Sequence, residues 1–149
     1  MSYLKFEHAL MSNLQESLQK EILGTNRSGA YYCSTIVDCN TRKYHGLLVV
    51  PVPELDDDNH VLLSSLDVSV IQHGARFNLG VHKYQGNHFS PNGHKYIREY
   101  NCDKVPATIY RVGGVILKKE TVFQHYENRI LIRYTLVYAP SDAILQFRP

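Results

Sequence analysis

The stretch NRILIRYTLVYA, residues 128–139, most limits what this chain can become. Ile130, Ile132, Tyr134, Leu136 and Tyr138 share one parity, and Arg129, Arg133 and Thr135 the other. Side chains two residues apart lie on one face only in an extended strand, so this period predicts a strand with one buried face. The preceding run, ATIYRVGGVILKKETVF at 107–123, places two strand-like segments around Gly113-Gly114. Glycine accepts the positive φ of a tight hairpin turn, so this segment predicts a hairpin. Glu127-Asn128 supplies the next turn.

The same reading extends upstream. Residues 43–52 and 95–100 read as strands. HVLLSSLDVSVIQ, residues 60–72, reads as one strand with Leu62, Leu66, Val68 and Val70 on one parity. IQHGARFNL is expected to turn at His73-Gly74. Residues 80–94 carry Gly, Pro, Asn and His without a period and read as a long loop, sharpest at Pro91-Asn92-Gly93. Helical spacing is confined to the first 20 residues, where Leu10, Leu14 and Leu18 predict a short helix with Ser12 and Asn13 as candidate caps. Short antiparallel strands, each half apolar, must bury their faces against a second layer. The fold class predicted is therefore an all-β antiparallel β-sandwich spanning 21–149, preceded by an N-terminal extension, 1–20, with a short helix. The strand-like ending AILQFRP predicts an unfilled sheet edge and further strands beyond Pro149.

Several functions are unsupported. A net charge of +2 gives no basic face for nucleic acid. No apolar run nears the ~20 residues of a membrane span, and the charged N-terminus has no signal-peptide core. Cys33, Cys39 and Cys102 are odd in number and lack a CxxC spacing, so free thiols in a reducing, cytoplasmic setting are expected. Asn26-Arg27-Ser28 fits the glycosylation pattern by accident on that view. His82, His88 and His94 recur every six residues, matching no zinc pattern, and the acidic ELDDDNH at 54–60 lacks the glycine and distal glutamate of a calcium loop. Gly113-Gly114 precedes no helix and is no phosphate cradle. No cofactor and no metal is expected.

NTRKYHGLLVV, residues 40–50, sets basic and aromatic side chains against the mouth of a strand. Arg42 offers a guanidinium fork, Tyr44 a stacking face and His45 a donor or acceptor. On an extended strand Arg42 and Tyr44 would share one side and His45 the other. Three readings stay open for Arg42, Tyr44 and His45: a seat for a neighbouring domain, contact with substrate, or a solvated strand end. Glu99, Glu120 and Glu127 lie among basic neighbours, and Lys118-Lys119-Glu120 reads as a solvated strand face, so no catalytic acid is assigned.

The segment TNRSGAYYCSTIVDCNTRKYHGLLVVPVP resembles the N-terminal domain of bacterial and archaeal-type glycogen debranching enzymes, the amylo-α-1,6-glucosidases. The likeness continues through VLLSSLDVSV, PNGHKYIREY, VPATIYRV, LKKETVF and NRILIRYTLV, with CNTRKYHGLLV the most specific part. Ile22-Leu23 and Arg27-Ser28 stand where the family usually carries an aromatic and a glycine-rich turn. The resemblance implies a sandwich of the large super-sandwich type ahead of an α/α toroid that holds the catalytic acids. It also implies an α-glucan substrate, with α-1,6 branch points cleaved by the full-length protein in cytoplasmic glycogen breakdown. A stand-alone carbohydrate-binding module is the alternative.

Overall fold

The computed structural model describes residues 4–149, and its regular structure is mostly antiparallel strands. In chain order they are β1 (Lys5–Glu7), β2 (Glu21–Thr25), β3 (Tyr31–Thr35), β4 (Gly46–Pro51), β5 (Asn59–Leu63), β6 (Asp67–Gln72) and β7 (Ala75–Asn78). They continue as β8 (His82–Tyr84), β9 (His88–Ser90), β10 (Ile97–Cys102), β11 (Pro106–Val112), β12 (Val115–Phe123), β13 (Ile130–Tyr138) and β14 (Ile144–Arg148). A five-stranded sheet runs β1-β10-β11-β12-β13, a four-stranded one β2-β3-β4-β5, a three-stranded one β14-β6-β7, and β8 pairs with β9.

Alternation decides what each strand buries. Along β12, Val115, Leu117, Lys119, Thr121 and Phe123 face inward while the intervening residues are more accessible. The main core joins Leu117, Val115, Tyr110 and Ile97 of the five-stranded sheet to Val68 and Val70 of β6, Ile36 and Val37 after β3, and Met11. A smaller cluster of Ala30, Tyr32, Val50 and Phe123 ties in the four-stranded sheet. The sandwich expected from period-2 patterning is thus present. Both expected hairpins form: Gly113 and Gly114 take φ of 56° and 84°, and His73-Gly74 take 51° and 75°, the left-handed pair a two-residue turn needs.

Four local expectations are corrected. Residues 60–72 are two strands in different sheets: β5 pairs with β4, and β6 with β14 and β7. The alternation there bridges the break at 64–66. The loop at 80–94 is ordered by the β8–β9 hairpin and by Gly93, whose amide donates to the Gly80 carbonyl at 3.0 Å. A Cβ at Gly93 would overlap the Leu79 carbonyl, so only glycine permits that approach. The N-terminal helical spacing is split into α1 (His8–Ser12) and α2 (Leu14–Ser17) by extended Asn13. Asn13 Oδ1 accepts the Glu16 amide as the α2 cap, whereas Ser12 bonds back to Ala9 instead. Finally, the strand expected from residue 43 begins only at Gly46.

Candidate functional site

The late start of β4 changes the site. Arg42 to His45 form a turn closed by the His45 amide donating to the Arg42 carbonyl at 3.1 Å. A strand would have pointed Arg42 and His45 apart; the turn sends both to Glu21 on β2. Arg42 Nε donates to Glu21 Oε1, and His45 Nε2 sits 3.3 Å from the same oxygen. Tyr44 meets the His45 ring edge-on at 5.3 Å, and the Tyr31 hydroxyl donates to the Tyr44 carbonyl at 3.2 Å. Cross-strand pairing of Leu23 with Cys33 brings both onto the same outer face. The result is an open groove of about 370 Å³ lined by Glu21, Ile22, Leu23, Tyr31, Cys33 and Tyr44. Its rim is apolar and accessible: Leu23 is 64% and Tyr44 50% exposed.

The three predicted residues therefore converge, with unequal roles. Tyr44 presents its ring to the groove. Arg42 is on the surface but committed to Glu21, and hydrogen bonding to the guanidinium lowers the Glu21 pKa. His45 has no exposed side-chain surface, and desolvation lowers its pKa despite Glu21. Nothing in the sequence marks Glu21, and Cys33 is expected there only as a free thiol, not as part of this site. Register against β3 brings them here, and only the pairing reveals it.

Glu21, Cys33 and His45 place a carboxylate oxygen, a thiol and an imidazole nitrogen within 4.8 Å of one another, the donor set of a metal centre. The hydrogen bonding opposes that use. The Thr41 amide donates to His45 Nδ1 at 3.0 Å, so the neutral ring carries its proton on Nε2, the atom facing Glu21 and Cys33. A metal-ligating imidazole has the reverse arrangement, with its outer nitrogen donating. Nor is this a thiol–imidazole dyad: burial raises the Cys33 pKa, which disfavours thiolate.

The other candidates are dispersed. Glu99 is held by Asn101 and Lys5, and Glu120 by Lys118 and Arg133; hydrogen bonds to these partners lower both pKa values, the opposite of what a general acid needs. Glu127 pairs with Arg129 at 3.1 Å. His82 Nε2 is 2.8 Å from Asp67, His88 is exposed, and His94 is buried, so the three histidines have separate surroundings. The three cysteines are free thiols. Asn26 cannot accept a glycan in the folded chain, because its side chain is buried and hydrogen-bonded.

Lys119 corrects the reading of 118–120 as a solvated face. It points inward and pairs with Asp38 at 2.5 Å. Burial alone would lower its pKa, but the Asp38 carboxylate and the Tyr110 and Tyr134 phenols more than offset that, and the net shift is upward. The space beside the pair, about 30 Å³, has room for water and none for a sugar.

No helix among the described residues is long and apolar enough to cross a membrane. No curated protein and no solved structure matches the chain. A family model described as the N-terminal part of glycogen debranching enzyme matches residues 20–149, and the chain belongs to that family.

Proposed function

We propose that this domain serves a cytoplasmic glycogen debranching enzyme by supporting its catalytic α/α toroid and forming one wall of the glucan cleft. Cleavage of α-1,6 branch points belongs to the toroid. The observation behind this reading is the groove beside Tyr44: an apolar, aromatic platform flanked by the Glu21–Arg42 pair. Aromatic faces stack on the apolar faces of pyranose rings, and a fixed carboxylate and guanidinium match hydroxyl groups. Glu21, Glu99 and Glu120 are stabilised as anions, which argues against any of the three as the general acid of hydrolysis.

Two results are expected. The purified chain releases no glucose from branched limit dextrin; release lost on Glu21→Gln would overturn the reading. In the chain joined to its catalytic domain, Tyr44→Ala raises KM for limit dextrin about tenfold with kcat kept, the ~1–1.5 kcal/mol of an aromatic contact. An unchanged KM with a lowered Tm would assign Tyr44 to domain docking alone.

A further inference from the structure

We propose that the Thr41–His45 turn is a proton-operated latch, in which a second proton on His45 releases the turn, and Tyr44 with it, from the sheet. This inference rests on the turn's geometry and is independent of the glucan reading.

The latch depends on one nitrogen. Thr41 N–H is a donor in every protonation state, so its bond to His45 Nδ1 exists only while that nitrogen keeps a lone pair. The imidazolium carries hydrogen on both nitrogens. It would set two donors face to face at a spacing of 3.0 Å, on a side chain with no exposed surface. One partner must then leave. The imidazole is enclosed, whereas Arg42, Lys43 and Tyr44 are exposed, so the turn is the part free to move. Its remaining ties are the Arg42 guanidinium to Glu21 at the surface, the His45 amide to the Arg42 carbonyl and the Tyr31 hydroxyl to the Tyr44 carbonyl.

The surrounding charges leave this conflict in place. On β2, Glu21 favours the imidazolium, but its Oε1 is shared with Arg42, and His45 Nε2 is too far off axis to hydrogen-bond to it. From the turn, Arg42 opposes a second positive charge. On β3, Cys33 and Tyr31 stay neutral, their pKa values raised chiefly by burial. β4 has no titratable side chain, and the single one on β5, His60, stands opposite Val50 at the far end of the strand pair. Desolvation, the largest influence, lowers the His45 pKa below its ordinary 6.5. The neutral, latched form therefore holds above that value and is lost as pH falls through the native pKa.

The test follows the His45 ring and backbone amide exchange by NMR on the 149-residue chain between pH 8 and 4. The expected result is one titration below pH 6.5. Beneath its midpoint the Thr41 protection factor should fall about tenfold per pH unit, while the Leu117 amide keeps its protection. Glu21→Gln removes the attraction favouring the imidazolium and should move the midpoint to lower pH. Three results would overturn the proposal: a ring that titrates while Thr41 stays protected, Thr41 and Leu117 losing protection together, or a midpoint raised by Glu21→Gln.

Discussion

Asp38→Asn is expected to lower the unfolding free energy by about 3–5 kcal/mol, a large share of the ~5–15 kcal/mol of a typical domain. Asp38 has a left-handed backbone, φ 57°, and asparagine tolerates that region as well as aspartate does, so the substitution isolates the charge. What remains is the Lys119 ammonium, its side chain 8% exposed, facing Tyr110 and Tyr134 without an anion. Lys119→Met should cost less, about 1–2 kcal/mol, because the Asp38 carboxylate is 38% exposed and keeps much of its water. The double variant should recover most of the Asp38→Asn loss, since an apolar isostere replaces a buried charge. Urea unfolding followed by circular dichroism measures all three. The pH dependence has a definite sign. The native Lys119 pKa is raised above its ordinary 10.5, so its contribution is complete below that value and is lost as pH rises through the native one.

Asn26→Asp should cost about 2–3 kcal/mol at neutral pH. Asn26 is fully buried and joins two turns that are far apart in sequence. Its Oδ1 accepts the Ser28 and Ala30 amides at 2.9 and 3.0 Å, while Nδ2 donates to the Glu127 carbonyl at 3.0 Å and Asn128 Oδ1 at 3.2 Å. The Tyr126 amide completes the junction by donating to the Asn26 carbonyl at 2.7 Å. Aspartate keeps the acceptor but turns the donor into a second carboxylate oxygen. Asn128 can rotate its amide to meet that oxygen; the Glu127 carbonyl cannot. Burial and this opposed carbonyl should raise the new carboxyl's native pKa above the ordinary ~3.9. The penalty is then full above the native pKa and relieved below it, where a protonated oxygen can donate again. Urea midpoints relative to the parent chain at pH 7 and at pH 4 should converge at the lower value.

The sandwich was legible because period 2 is a local property of a half-buried strand: β12 follows it along its length, whereas β13 keeps it only from Ile130 to Tyr134 and leaves Leu136 and Tyr138, expected on the buried face, exposed. The same rule, applied along β12, already puts Lys119 on the parity of Leu117 and Phe123. Charge made 118–120 look solvated, and the parity was the better guide. Residues 60–72 misled for the converse reason: alternation persists across the 64–66 break although the chain changes sheet there. At the site, Arg42, Tyr44 and His45 were recognisable as chemistry-bearing types, but their convergence was not. It needs the turn before Gly46 and the register that sets Glu21 and Cys33 beside them. Neither a turn closed by one backbone hydrogen bond nor a cross-strand pairing has a signature within eleven residues of sequence.

On the proposed function, the groove at Leu23, Tyr31 and Tyr44 recognises glucan as one wall of a larger cleft. Titration of the ¹⁵N-labelled chain with maltoheptaose checks this claim. One wall alone should bind at about millimolar strength, ~4 kcal/mol, with shifts confined to β2, β3 and the Thr41–His45 turn and abolished by Tyr44→Ala. Micromolar binding would make the chain a self-sufficient carbohydrate-binding module, and saturable shifts elsewhere, or none at all, would contradict the claim.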